Sequence, residues 1–132
     1  MPTPWPDLEG ALASDCRSMS DVRREIDRLD RVLVKLMAER LTYIERAGHI
    51  KTDRSKVRDE TRIADVLIKV AASCERENFP FKIAEPVWRA LMNGCIAHEF
   101  EVFDELRDHE RLSEETFADW RSNQDEKAFR DL

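Results

Sequence analysis

The chain has 132 residues but few of the ones that interrupt helices. Its three glycines are Gly10, Gly48 and Gly94, and no proline falls between Pro6 and Pro80. A fold built on tight turns and hairpins needs more of both, so long helices are favoured over sheet. No apolar run approaches the roughly 20 residues of a membrane span, and no membrane partner is expected. An excess of positive charge is also missing. The net charge is −6, which argues against a nucleic-acid surface but leaves room for a local cationic pocket that takes a small anion. Cys16, Cys74 and Cys95 are odd in number, far apart and without a C-x-x-C spacing, so they read as reduced thiols. The N-terminus has neither a basic start nor an apolar core, so no secretory signal is expected. A cytoplasmic location follows as an expectation.

What is present is concentrated in residues 21–51. Val22, Ile26, Leu29, Leu33, Leu36, Arg40, Tyr43, Ala47 and Ile50 succeed one another in steps of four and three, the apolar stripe of a helix packed along one seam. About 30 helical residues make a rod of roughly 45 Å, whereas a compact domain of this size is roughly 36 Å across. A second copy of the chain is therefore expected to cover the stripe; a monomeric bundle crossed by one long helix is the alternative.

Around that helix the chain divides into a flexible leader over residues 1–17, a helical domain over 18–108 and a charged extension over 109–132. Ser18 or Ser20 can cap the first helix, with Asp21 in its first turn. A second helix is predicted over about 59–77, with Ile63, Val66, Leu67, Val70 and Cys74 inward, ended by Asn78-Phe79-Pro80. Pro86 suits the first turn of a third helix reaching about residue 107, with Trp88, Met92, Cys95, Glu99, Val102 and Leu106 inward. In the extension, a short helix capped by Ser113 is predicted around Phe117 and Trp120.

Two charged residues interrupt apolar stripes: Arg40 on the first helix and Glu99 on the third. A buried arginine costs several kcal/mol unless an anion meets it. Lys51, eleven residues after Arg40, projects within ~20° of the same direction and about 16 Å further along the axis. Arg23 lies roughly 25 Å from Arg40 on another face, and could serve an Arg40 site only in a partner chain. Glu99 can neutralise Arg40 in a buried ion pair. Alternatively, two cations against one carboxylate favour an anionic ligand.

VRREIDRLDRVLVKLMAERLTYIERAGHIK resembles the first helix of the all-helical chorismate mutase family, and VRDETRI resembles the start of that family's second helix. The resemblance runs from about Ser18 to Leu106. It implies an all-α, three-helix subunit with one long N-terminal helix, an intertwined homodimer, and cofactor-free conversion of chorismate to prephenate on the branch toward phenylalanine and tyrosine. It implies that Arg40 binds a substrate carboxylate, that Arg23 from the other subunit binds the second, and that Lys51 contacts a carboxylate and the ether oxygen. Asp59 matches an aspartate near the ring hydroxyl, and Arg62 a supporting arginine.

Three positions depart from the usual pattern. Ile63 stands where a glutamate binds the hydroxyl, Glu99 where glutamine is usual although glutamate also occurs in the family, and Cys95 where serine is usual. Isochorismate-pyruvate lyases share the fold and carry an apolar residue at the Ile63 position, but they keep an amide at the Glu99 position and lack the VRD run. The mutase reading leads and the lyase is its alternative; a mutase acting on an amino analogue is a third. A carboxylate only accepts hydrogen bonds, so Glu99 would need its proton to donate to the ether oxygen. His98 and His109 are not expected to hold a metal, because His98 and Glu99 point to different faces. Cys74 and Cys95 read as small core residues. Arg54, Lys56 and Arg58 read as a solvated or lid-forming connector. A non-catalytic helical dimerisation module, using its inward charges for pairing specificity, belongs to a different class.

Overall fold

The computed structural model describes residues 5–130, and their side chains as far as residue 120. Three α-helices carry the chain: α1 (Met19–Ile50), α2 (Glu60–Arg76) and α3 (Phe81–Arg130). There is no strand among the described residues, so the all-α class stands. None of their helices is long and apolar enough to cross a membrane. The chain separates into two compact units, residues 1–43 and 44–132.

In the first unit, Ser18 caps α1 by accepting a hydrogen bond from the Asp21 amide at 3.1 Å. Asp21 reaches back to accept from the Arg17 amide at 2.9 Å. That backbone donor holds the Asp21 carboxyl below its ordinary range. From residue 5 onward, the segment expected as a leader carries two short 3-10 turns, Pro6–Leu8 and Ala13–Asp15, and lies along one face of α1. Arg28 donates to the Asp7 carbonyl and Arg31 pairs with the Asp7 carboxylate at 3.3 Å. Lys35 sits over the Trp5 ring at 5.7 Å. A Cβ added at Gly10 would meet the far ends of the Arg28 and Glu25 side chains, flexible groups that would have to shift to admit it. The next face round the helix is the predicted apolar stripe, and Ile26, Leu29, Leu33 and Leu36 on it are exposed.

The second unit holds most of the core. Cys74 of α2 and Ala84, Met92, Cys95 and Phe103 of α3 are buried, along with Val57 of the connector. The stripe predicted for the third helix is thus the face that packs. Two expectations for this helix need correction. Pro86 lies inside α3 and not in its first turn, because the helix already begins at Phe81 with Pro80 accepting from Ile83 and Ala84. Nor does the helix end near residue 107: it runs to Arg130, with Ser113 in its interior, so no separate capped helix exists there. The reason is local. No glycine or proline follows Gly94, and the pairs Arg107–Glu110 and Asp108–Arg111 support the next turn at a spacing of three.

The turn between α2 and α3 fixes how those helices meet. Asn78 adopts φ 54°, and the following amide, Phe79, donates back to the Cys74 carbonyl at 2.9 Å while Asn78 donates to Glu75 at 3.3 Å. This is a Schellman closure with asparagine in the left-handed position, which it tolerates better than any β-branched residue. Asn78→Gly should therefore leave stability unchanged or slightly raised, and Asn78→Val should lower it by about 1–3 kcal/mol, read from denaturant midpoints at constant slope.

Candidate active site

The charged cluster of the second unit is assembled where the last turn of α1 and the connector meet α3. Gly48 lets this happen. It is buried, and an added Cβ would stand 3.3 Å from Val102 and 3.4 Å from Glu99. Glycine in a helix interior costs up to about 1 kcal/mol relative to alanine, so its presence here answers to the approach of α3.

Directly across that contact, Glu99 is 3% exposed, the one buried charged residue among those described. Lys51 Nζ donates to Glu99 Oε2 at 2.7 Å and lies 3.5 Å from the Val57 carbonyl oxygen. The lysine side chain keeps 29% of its surface exposed. The pair therefore has a sealed acidic end and an accessible cationic end. Breaking a buried pair of this kind by removing one member costs about 3–5 kcal/mol, because the other charge remains without its partner. Lys51, one of the two inward cations that the sequence offered, meets the Glu99 carboxylate.

Lys51 is also held through its backbone. Its amide donates to Ala47 at 3.0 Å, the final helical bond of α1, and its carbonyl accepts from Arg107 Nη2 at 2.7 Å. Arg107 packs its guanidinium over Phe103 at 4.9 Å and donates to Glu110 at 2.9 Å. Its Nε is buried without a hydrogen-bond partner, at a cost of about 1–3 kcal/mol. Sequence reasoning missed Arg107, which looked like the end of a helix.

Most of the connector is exposed, as expected of a solvated segment, and Arg54 ties it to α3. Arg54 forms a two-point contact with Asp104 at 3.0 and 3.3 Å and stacks over Phe100 at 4.5 Å. Asp104 holds the Arg54 guanidinium above its ordinary pKa. Val57 is buried and marks where the connector enters the core.

The remaining residues singled out from the sequence fall as follows. Asp59 caps α2, its carboxylate accepting from the Arg62 amide at 3.1 Å. The Arg62 side chain turns to Asp65 at 2.7 Å. Ile63 is half-buried on α2, and Cys95 is buried one turn before Glu99. Arg23, exposed, and Arg40, half-buried, belong to the first unit. His98, beside Glu99 in sequence, points instead to Glu45 at 2.9 Å.

Comparison with known proteins bears on this arrangement. Residues 22–100, more than half of the chain, match the family described as chorismate mutase type II. The chain belongs to that family. Among curated proteins, the isochorismate pyruvate lyase of Pseudomonas aeruginosa is 24% identical over 93 residues, covering 70% of this chain and 92% of the relative. Lys51 and Glu99 both lie inside the family match.

Proposed function

We propose that the chain is a chorismate mutase, converting chorismate to prephenate in aromatic amino acid biosynthesis without a cofactor. The observation that carries this reading is the Lys51–Glu99 pair: an ammonium held at 2.7 Å by a buried carboxylate, with part of its surface open. The reaction is a concerted rearrangement in which one C–O bond breaks as one C–C bond forms, so no nucleophile is required. Negative charge develops on the ether oxygen in the transition state. A donor already fixed in place stabilises that charge without reorganising, worth ~3–4 kcal/mol. Lys51 is that donor, and Glu99 is the acceptor that orients it.

Binding the flexible dianion in its reactive conformation supplies the other part of the rate. Arg40 and Arg23 of the partner subunit take this role at the two carboxylates. Asp59 and Arg62 stand near the ring, and Cys95 and Ile63 line it. The homodimer this requires is supported by the exposed stripe Ile26, Leu29, Leu33 and Leu36, a contiguous apolar face of the kind that a second copy buries.

The second reading, an isochorismate pyruvate lyase, is favoured by Ile63 and by the name of the Pseudomonas aeruginosa relative. An isoleucine binds no hydroxyl, and the lyase substrate carries its hydroxyl elsewhere on the ring. Glu99 in place of the amide keeps the mutase ahead.

Purified protein incubated separately with chorismate and isochorismate, with products separated by chromatography, decides between them. Prephenate from chorismate is expected. Pyruvate from isochorismate with chorismate untouched would establish the lyase, and inertness toward both would return the chain to the dimerisation-module class. The shared site has its own test. Arg23→Ala and Arg40→Ala chains, each inactive alone, should regain activity after mixing, unfolding and refolding, because one site of each mixed dimer carries neither substitution. Continued inactivity after verified chain exchange would show that Arg23 does not act across the dimer.

A further inference from the structure

The geometry points to Arg107 as a positioning residue that acts through Lys51, an inference resting on the catalytic role proposed for that lysine. Lys51 is the first residue beyond α1, where a chain released from its helix would ordinarily be free to move. Its carbonyl stands at the negative end of the helix dipole, and Arg107 Nη2 donates to it at 2.7 Å. A charge-assisted hydrogen bond at that point is stronger and shorter than a neutral one.

The guanidinium that makes it is itself immobilised. Its Cζ stands 4.9 Å from the centroid of the Phe103 ring, one turn back on α3, and Glu110, one turn on, accepts from Nη1 at 2.9 Å. α3 thus grips Lys51 twice, eight residues and about 12 Å apart along its axis: at the ammonium through Glu99 and at the backbone through Arg107. The Lys51 amide is already tied to Ala47, but fixing only that and the ammonium would leave the Lys51 carbonyl, and the connector it leads into, free to turn. With both ends held, the donor direction is set before substrate arrives. The buried, unpartnered Nε of Arg107 is the cost of that placement, one that an apolar residue on the same turn would avoid.

The test substitutes Arg107→Met, which keeps the apolar stem, and Arg107→Lys, which keeps a charge able to reach the carbonyl. Each is made in the otherwise natural chain and in a Lys51→Ala background. On whichever of chorismate and isochorismate the natural protein consumes, Arg107→Met should lower kcat at least tenfold with KM changed less than threefold, and Arg107→Lys should recover part of the loss. In the Lys51→Ala background, Arg107→Met should change kcat less than twofold, since the group it positions is gone. An equal fold-loss in both backgrounds, or no loss in the first, would overturn the proposal. Hydrogen exchange at the Lys51 amide gives a readout independent of turnover: protection should fall in Arg107→Met and be retained in Arg107→Lys. Unchanged protection in both variants would overturn the clamp itself. Inertness of the natural protein toward both substrates, with protection lost as expected, would instead sink the catalytic reading and leave the clamp standing.

Discussion

The hydrogen bond between Lys51 and Glu99 is the constraint on which the second unit turns. A carboxylate exposed by only 3% is tolerated on an apolar helix face because an ammonium meets it at 2.7 Å. That ammonium can reach it because α1 ends at Ile50, where Gly48 lets α3 come within van der Waals contact. The polypeptide then leaves as a connector tied down by Arg54 on Asp104 and by the buried Val57, whose carbonyl also faces the ammonium. Every one of these contacts narrows the positions open to a single cationic group. A protein concerned only with stability gains little from such a pair, since well-packed apolar residues of similar volume serve as well or better. Both members of the pair lie within the family-matched region.

The first unit is organised on a different principle. Its helix carries three kinds of surface: a charged face contacted by the segment from Trp5 onward, an exposed apolar stripe, and solvated positions between them. The leader contacts Arg28, Arg31 and Lys35, while Ile26, Leu29, Leu33 and Leu36 remain exposed. Ordering the N-terminal segment therefore does not compete with a second copy for the stripe. The proposed dimer and the docked leader are compatible on the same helix.

Much of this was legible in the sequence, for reasons of period. The steps of four and three in Trp88, Met92, Cys95, Glu99, Val102 and Leu106 identified the packed face of α3 because burial selects one side of a helix. Lys51 and Glu99 both drew attention as charges turned inward. Asp59 and Asn78-Phe79-Pro80 bounded α2 through capping and turn chemistry acting within a few residues. What stayed hidden depends on residues far apart in the chain. The choice of Lys51 as a partner for Glu99 is made over 48 positions, and the grip of Arg107 on the Lys51 carbonyl over 56. The continuation of α3 beyond residue 107 was obscured by a loss of apolar period, although nothing in that stretch breaks a helix and its charge pairs support one. The contacts of the leader stayed hidden because they join Asp7 to Arg28 and Arg31, 21 and 24 positions away, and leave no pattern in a sequence.

The central claim is that Lys51, oriented by Glu99, supplies the charge that stabilises the departing ether oxygen. The most direct measurement is kcat for the Lys51→Ala protein at saturating substrate, with its secondary structure and oligomeric state shown to match those of the natural chain. A loss of at least ~100-fold is predicted, the scale of removing one preorganised donor from a developing oxyanion. An unchanged kcat in a correctly folded variant would mean that Lys51 and Glu99 form a structural ion pair and that the reaction draws its stabilisation from elsewhere.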